Sequence, residues 1–235
     1  MSTYLLVHGA WHSGECWARV APLLAGHRVL TPTLTGYGDK VHLAGPEVGL
    51  DTHVDDIVRL IVDEDLTDVV LVGHSYAGLV ISSVANDVPD RIGHLVYLDA
   101  MVPEDGETAA DVMPMTQDLV DRALESESEW RVPPFPEGPA GLFGVTDPAD
   151  VAWLRTMLSD QPVRCLQQPV RLDNPDAAKI PRTHIHCTAG APVGRRPVPP
   201  IQPNGTPAQV WELPTGHDCM ITMPAELAGL LLKLG

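Results

Sequence analysis

The chain has 235 residues, of which 44% are hydrophobic, and this is enough for one domain with a substantial core. Its 15 basic and 31 acidic residues give a formal net charge of −16, which repels phosphate backbones and anionic lipid. The composition therefore argues against nucleic acid and membrane partners and indicates a well-solvated surface.

The four cysteines lack any C-x-x-C spacing and stand at Cys16, Cys165, Cys187 and Cys219. This pattern indicates neither a zinc knuckle nor a disulfide framework. The first residues lead directly into a short apolar run, without the charged segment and long apolar segment of a secretory signal. No run reaches the length of a membrane span. We therefore expect a cytoplasmic protein with free thiols.

The first half of the chain alternates short apolar runs with segments of helical spacing. The predicted elements are a strand at 4–8, a helix at 17–24, a strand at 28–31, an amphipathic helix at 51–63, a strand at 68–72 and a helix at 79–85. The second half adds strands at 94–99, 183–188 and 208–213 and a closing helix at 226–234. Such alternation predicts an α/β fold with a doubly wound, mainly parallel six-stranded sheet.

The segment 103–179 interrupts this alternation, because it is rich in prolines, acidic pairs and scattered large apolar residues. We expect it to form a helical cap insertion, and 1–102 together with 180–235 to form the core. The proline-rich segment 192–207 is predicted to be a loop.

One short segment has the pattern G-x-S-x-G, from Gly73 through Ser75 to Gly78. A β-branched run precedes it and a segment of helical length follows it. A serine on such a strand-to-helix turn is strained and exposed at the carboxyl edge of the sheet, where it can act as a nucleophile. This context favours a catalytic Ser75 over a plain glycine-bounded turn.

Three widely spaced segments support a family resemblance: LVHGAWH at 6–12, GHSYAG at 73–78 and LPTGHD at 213–218. Together they resemble the α/β-hydrolase superfamily, and within it the branch that contains plant methyl-ester esterases, hydroxynitrile lyases and bacterial relatives. The H-G-A-W-H opening is fairly specific to that branch. The resemblance covers essentially the whole chain and implies the α/β-hydrolase fold, with the insert as its variable cap.

The resemblance also implies roles for individual residues. His217 follows the last strand at the position of the family's catalytic base, which would take the proton of Ser75. The backbone N–H groups of Ala10 and Tyr76 match the donors that stabilise the oxyanion. His74 is expected to pack beneath the nucleophile, and His12, like the nearby tryptophans, to line the pocket or pack.

The acid of the triad is harder to place. The family's usual position is the loop after the penultimate strand, but 186–194 contains no carboxylate. Asp99 ends the strand that follows the nucleophile helix and would lie on the catalytic edge of the sheet. We therefore expect Asp99 to orient His217, with a turn-capping role as the alternative. The Asp218 side chain is expected to point away from the His217 ring.

The insert has no catalytic pattern of its own, but its large apolar residues could line an acyl or alcohol pocket or form the cap's own core. The residues predicted to bind substrate are Trp11, Met101, Trp130, Phe143 and Trp153. Other candidates of the same type are Met113, Met115, Phe135 and Met157.

The leading hypothesis is a serine hydrolase, without cofactor or metal, that cleaves a carboxylic ester of a small apolar or aromatic molecule. Plant hydroxynitrile lyases of this branch carry Thr at the position of Gly9 and Lys at that of Asp218, so the sequence favours hydrolysis over cyanohydrin cleavage. Epoxide hydrolases and dehalogenases of this fold carry an aspartate nucleophile at the position of Ser75, so the serine argues against these two activities. Acyl transfer, another pathway-specific reaction of this fold and a small-ligand receptor stay open as alternatives. The expected partner is the small-molecule ester, and a homodimer is left open.

Overall fold

The computed structural model describes residues 1–235, and its centre is a six-stranded sheet in which all neighbouring strands are parallel. The strand order is β2-β1-β3-β4-β7-β8. The strands of this sheet are β1 (Thr3–Val7), β2 (Arg28–Leu30), β3 (Val69–His74), β4 (Ile92–Leu98), β7 (Arg182–Cys187) and β8 (Gln209–Leu213). The predicted fold class is confirmed.

Eight α-helices and a two-stranded antiparallel sheet complete the fold. The helices are α1 (Leu50–Asp63), α2 (Ala77–Asp87), α3 (Ala109–Val112), α4 (Met115–Leu124), α5 (Pro148–Met157), α6 (Arg164–Gln167), α7 (Cys219–Thr222) and α8 (Pro224–Leu231). The small sheet consists of β5 (Arg131–Val132) and β6 (Gln161–Pro162). No helix of the chain combines the length and apolarity that crossing a membrane requires.

The sheet divides the core into two layers because strand side chains alternate between its faces. Leu5 and Val7 of β1 pack with α1 and α2 on one face. Tyr4 and Leu6 pack on the other face with α7, α8 and the segment around Trp17. Helices thus cover both faces of the sheet, which explains why its central strands read as nearly continuous apolar runs.

The segment predicted as a helix at 17–24 forms two short 3₁₀ helices instead, Gly14–Trp17 and Ala21–Leu24. Pro22 supplies no backbone N–H, so a continuous α-helix through this segment would lack a hydrogen bond. The second strand ends at Leu30 rather than at residue 31, and the closing helix runs from Pro224 to Leu231 rather than over 226–234.

The insert 103–179 is less helical than expected, since it contains the β5–β6 ribbon as well as α3–α6. Its apolar residues divide between the two core layers. Val120, Val132 and Leu166 join the layer of α1 and α2, whereas Val151 and Leu154 of α5 join the opposite layer. The division of the chain into core and cap stays a prediction.

The carboxyl edge of the sheet brings distant residues together because parallel strands end on the same side. Ala10 follows β1, Ser75 follows β3, Asp99 follows β4 and His217 follows β8. The strands β3 and β4 are paired up to His74 and Leu98, so Ser75 and Asp99 leave the sheet side by side.

Candidate active site

Ser75 occupies a sharp turn between β3 and α2. Its φ of +57° lies in the left-handed region, which non-glycine residues adopt only where surrounding structure holds them. The Ser75 N–H donates to the Leu98 carbonyl at 3.2 Å, and the Met101 N–H donates to the Ser75 carbonyl at 3.0 Å. The turn is therefore fixed from the β4 side, and the Ser75 side chain reaches the wall of a cavity.

Two glycines make this turn possible through close approach. A Cβ on Gly78 would lie 1.8 Å from the Met101 carbonyl oxygen, so only glycine lets α2 start against the β4 loop. A Cβ on Gly9 would lie 2.9 Å from the Ser75 Cβ. The backbone that leads from β1 into Ala10 thus passes directly beside Ser75.

His217 lines the same cavity as Ser75 and bonds Asp99 on its other side. The His217 Nδ1–H donates to Asp99 Oδ2 at 2.7 Å, which leaves Nε2 as the nitrogen able to take a proton. The structure shows no hydrogen bond between Ser75 Oγ and His217 Nε2, a contact that often tightens only with substrate bound.

His74 lies beneath His217, and the two ring centroids are 4.4 Å apart. Burial lowers the pKa of His74 to about 3, so the ring is neutral. Its Nε2–H donates to the His217 backbone carbonyl at 3.1 Å, and this contact supports the loop that carries His217.

Asp99 ends β4 with a φ of +42° and is 1% exposed. Its Oδ1 accepts from Arg195 Nη2 at 2.6 Å and from the Cys187 N–H at 3.2 Å, while Oδ2 faces His217. Burial by itself would raise the pKa of this carboxyl, but the hydrogen bonds and charges of His217 and Arg195 outweigh it and lower the pKa. Asp99 is thus an oriented carboxylate next to the His217 ring.

Sequence reasoning missed Arg195. It belongs to the loop after β7, which is the family's usual position for the acid. In this chain the loop supplies the Arg195 guanidinium, which contacts Asp99, and Asp99 in turn contacts His217. The available signal was the pair Arg195-Arg196 in a loop without any carboxylate at the catalytic edge.

Ala10 and Tyr76 both line the cavity, and the backbone N–H of neither residue has a hydrogen-bond acceptor in the protein. Both residues are buried, with 5% and 1% of their surface exposed. A buried donor without a partner costs free energy, so such groups in a cavity wall indicate an intended ligand atom. They occupy the two positions expected of an oxyanion hole.

The cavity has a volume of about 490 Å³, and no Asp, Glu, Lys or Arg side chain lines it. Three aromatic rings form one wall, where Trp11 lies 4.9 Å from Phe135 and 5.7 Å from Phe143 between ring centroids. Met101 and Met113 also line the cavity.

Trp130 and Trp153, which the sequence predicts to bind substrate, do not line the cavity that Ser75 and His217 share, so the structure does not support this prediction. Trp153 is on α5, where it packs against the core layer of α8 and lies under the Arg19 guanidinium at 4.7 Å. Trp130 is half-buried and lies under the Arg131 guanidinium at 5.6 Å. Of the other candidates, Met115 is exposed and Met157 belongs to the core.

Beneath the site lies a second pair of ionisable groups, His12 and Asp218. Asp218 Oδ2 lies 2.8 Å from His12 Nε2, and both side chains are almost completely buried. The Asp218 side chain is thus hydrogen-bonded to His12 and makes no hydrogen bond to the imidazole nitrogens of His217. His12 Nδ1 lies 2.7 Å from the Ala10 carbonyl oxygen.

One cluster could in principle hold a metal ion, since His74, His217 and Asp218 each offer a ligand atom within 4.8 Å of the others. Two of these groups are already engaged, because His217 bonds Asp99 and Asp218 bonds His12. A metal ion would also compete for the nitrogen that a base must keep free. We therefore assign the cluster to the surroundings of His217, and a site without metal stays a prediction.

Comparison with known proteins gives a consistent result. A family model described as the alpha/beta hydrolase family matches residues 4–230. A carbendazim hydrolyzing esterase from Nocardioides sp. is 37% identical over an alignment of 244 positions, gaps included, which covers 100% of both chains. A pheophorbidase from Raphanus sativus is 26% identical over 98% of this chain and 92% of its own. An extracellular alpha/beta-hydrolase from a Paenibacillus species superposes with a TM-score of 0.81 and 26% identity, over 100% of this chain and 99% of that one.

Proposed function

The chain belongs to the alpha/beta hydrolase family and is a carboxylic ester hydrolase, and from this premise we propose that it cleaves small uncharged esters through an acyl-enzyme on Ser75. The observation that carries the proposal is the hydrogen bond of 2.7 Å between His217 Nδ1 and Asp99 Oδ2, next to a cavity that Ser75 and His217 share. In this arrangement Ser75 is the nucleophile, His217 the base and Asp99 the acid.

In the first half of the reaction, Ser75 Oγ attacks the ester carbonyl carbon and its proton passes to His217 Nε2. Asp99 stabilises the imidazolium that results and holds the ring in its productive tautomer. The carbonyl oxygen becomes an oxyanion that accepts from the N–H groups of Ala10 and Tyr76, which have no competing acceptor. The C–O bond then breaks, and the alcohol leaves with the proton from His217.

In the second half, a water molecule gives a proton to His217 Nε2 and attacks the acyl carbon. The same two N–H donors stabilise the second oxyanion. Collapse of this intermediate returns the proton to Ser75 Oγ and releases the carboxylic acid. No step requires a cofactor.

The cavity supports a class of substrate rather than a single molecule. A site of about 490 Å³ without a fixed positive or negative side chain favours a neutral, largely apolar ester. The wall of Trp11, Phe135 and Phe143 suits a flat aromatic group, since aromatic rings pack well in offset or edge-to-face arrangements. The name of the Nocardioides relative makes carbendazim a natural member of the test panel.

The geometry around Gly9 argues against cyanohydrin cleavage as well. A threonine at this position would bring its Cβ to 2.9 Å from the Ser75 Cβ and 3.1 Å from His74 Nδ1. The backbone of this chain therefore has no room for the Thr side chain that plant hydroxynitrile lyases carry there.

The proposal is tested with a panel of esters that share one leaving group. Esters of neutral aromatic acids, such as benzoates and phenylacetates, are compared with matched esters whose acyl part carries a carboxylate or a quaternary ammonium group, and carbendazim is added as a separate substrate. We expect kcat/KM to be at least about 100-fold higher for the neutral esters, since burying an unpaired charge costs several kcal/mol. Equal turnover of the charged esters would contradict this substrate class.

A further inference from the structure

The buried pair His12–Asp218 is not used by the reaction as derived above, although burying it is costly. Both side chains are withdrawn from solvent, at 2% and 0% exposed. Moving two charged groups out of water costs several kcal/mol each unless their geometry is excellent. Neither residue lines the cavity, so contact with substrate does not explain why this costly pair is present.

The hydrogen bonds show which form the pair takes. The Ala10 carbonyl can only accept, so His12 Nδ1 carries a proton and donates to it at 2.7 Å. Burial opposes charge on both members, but the charge of each partner outweighs it: the pKa of His12 is raised and that of Asp218 is lowered. The lowered pKa of Asp218 keeps this side chain a carboxylate, which can only accept, so His12 donates on one side to Ala10 and on the other to Asp218.

The contact between His12 and Ala10 spans a strained residue. Trp11, which lies between them, has a φ of +66°. Such a conformation costs on the order of 1–3 kcal/mol in a non-glycine residue and persists only where neighbours hold it. The Ala10 carbonyl accepts from His12 Nδ1–H, and the backbone N–H of the same residue has no acceptor in the protein.

The other end of the pair is tied to the base. Asp218 directly follows His217, and its N–H donates to the Phe143 carbonyl at 3.0 Å. One hydrogen-bonded path thus connects the loop of the base with the loop of the oxyanion donor, through Asp218, His12 and Ala10.

We propose that His12 and Asp218 are positioning residues for the reaction, and that their buried pair fixes the Ala10 N–H in the oxyanion hole relative to His217. The pair acts through its hydrogen bonds rather than through a net charge, because its two charges cancel. The inference rests on the proposed function, since it assumes an oxyanion formed by attack of Ser75.

The test uses a double variant, His12→Phe/Asp218→Leu, which removes both charges together and fills the space with apolar groups. Replacing a buried ion pair in this way is often neutral or stabilising, so the fold is expected to survive. We expect kcat to fall about 100-fold, as loss of an oxyanion donor does, with KM changed less than about threefold. Asp218→Ala serves as a second variant with the same expectation.

The rescue variant is Asp218→Asn. An asparagine can donate to Nε2 of a neutral His12, so the path to Ala10 stays complete without the charges. Its kcat should stay within about tenfold of the wild type, the scale of one hydrogen bond. A control for general destabilisation is Tyr4→Phe, which removes the Tyr4 Oη donation to the Leu231 carbonyl far from the site and should lower thermal stability without changing kcat.

A second readout isolates the oxyanion. An aryl trifluoromethyl ketone forms an oxyanion with a serine nucleophile, whereas the matched methyl ketone binds as a neutral ground-state analogue. The double variant should lose affinity for the trifluoromethyl ketone by the same factor as kcat/KM and keep its affinity for the methyl ketone.

Two results would overturn the inference. The first is wild-type kcat in a folded variant, either the double variant or Asp218→Ala. The second is an equal loss of affinity for the trifluoromethyl ketone and the methyl ketone in the double variant. Covalent labelling of the wild type at Ser75 by a fluorophosphonate is measured alongside. An unlabelled wild type contradicts the proposed function, whereas a labelled wild type with a fully active double variant contradicts the role of the pair alone.

Discussion

At the scale of single residues, the arrangement around Asp99 explains how the proposed triad is assembled without a carboxylate in the loop after β7. Asp99 Oδ1 is occupied by Arg195 Nη2 and the Cys187 N–H, at 2.6 Å and 3.2 Å, so only Oδ2 is left to face His217. The carboxylate plane is thereby fixed by three donors. A cation from the β7 loop holds in place an acid that comes from β4.

The first prediction follows from this geometry. Asp99→Asn should keep the fold but lower kcat by about four orders of magnitude, because an amide favours the wrong tautomer of His217 and cannot stabilise the imidazolium. The measurement is steady-state ester hydrolysis, with circular dichroism as the check of folding. Asp150→Asn is the matched control, since it removes the partner of Arg19 at the surface and should leave kcat unchanged. An Asp99→Asn variant within tenfold of wild-type kcat would remove Asp99 from the triad.

At the scale of elements, most of the sheet and the turn at Ser75 could be predicted from sequence. Strands buried on both faces give apolar runs, and the G-x-S-x-G pattern is typical of a sharp turn between a strand and a helix. The positions of Trp130 and Trp153 could not be predicted. Which face of a short helix or ribbon meets the cavity depends on long-range packing, and a large apolar residue fits either place. The partner of His12 escaped prediction for the same reason, since the pair joins residues 206 positions apart.

A second prediction concerns the start of α2. Gly78→Ala should lower the free energy of unfolding by about 3 kcal/mol and reduce activity, because its Cβ would lie 1.8 Å from the Met101 carbonyl oxygen. The matched control is Gly229→Ala in α8, where nothing lies within 4 Å of the added methyl group. This control should gain about 0.5–1 kcal/mol, the usual difference between alanine and glycine in a helix. The free energy of unfolding of both variants is measured by urea unfolding. A Gly78→Ala variant as stable as the wild type would contradict the prediction and show that α2 can move away from the β4 loop.

A third prediction distinguishes a side chain of the insert that lines the cavity from one that packs in the core. Phe143→Ala should raise KM for an aryl ester by about tenfold or more, since a ring that contacts substrate contributes at least 1–2 kcal/mol of apolar burial. Trp153→Ala should leave KM unchanged and lower the free energy of unfolding, because Trp153 packs in the core layer of α8 and not in the cavity. Kinetics and urea unfolding are measured on both variants. A rise in KM for Trp153→Ala would restore it as a substrate-binding residue.

At the scale of the whole molecule, buried neutral histidines couple folding to pH. Burial lowers the pKa of three fully buried histidines, to about 3 for His8 and His74 and about 4 for His53. In the unfolded chain the same groups titrate near pH 6.5, so the unfolded state binds more protons below that pH. Their contribution to stability is therefore complete above about pH 6.5 and is lost as the pH falls towards 4.

The fourth prediction is the size of this loss. Together the three groups should reduce the free energy of unfolding by about 4 kcal/mol per pH unit in that range, which is large against a typical total of 5–15 kcal/mol. Urea unfolding between pH 8 and pH 5 measures the slope. His53→Gln removes one titrating group and should reduce the slope by about 1.4 kcal/mol per pH unit, its share of the three contributions. A stability that stays constant from pH 7 to pH 5 would contradict neutral burial of these rings.

The net charge of −16 acts at the same scale. It leads us to propose that the chain binds neither nucleic acid nor an anionic membrane. The small ester that we propose as its partner is supported by the cavity instead. A homodimer stays open as an alternative.

The most direct measurement of the central claim is the site of covalent modification. Purified protein is treated with a fluorophosphonate, and the modified residue is identified by peptide mass spectrometry in the wild type, in Ser75→Ala and in Asp99→Asn. We expect one adduct, on Ser75, in the wild type, a much slower reaction at the same residue in Asp99→Asn, and no adduct in Ser75→Ala. An adduct on another residue, or ester hydrolysis at the wild-type rate by Ser75→Ala, would contradict the acyl-enzyme mechanism.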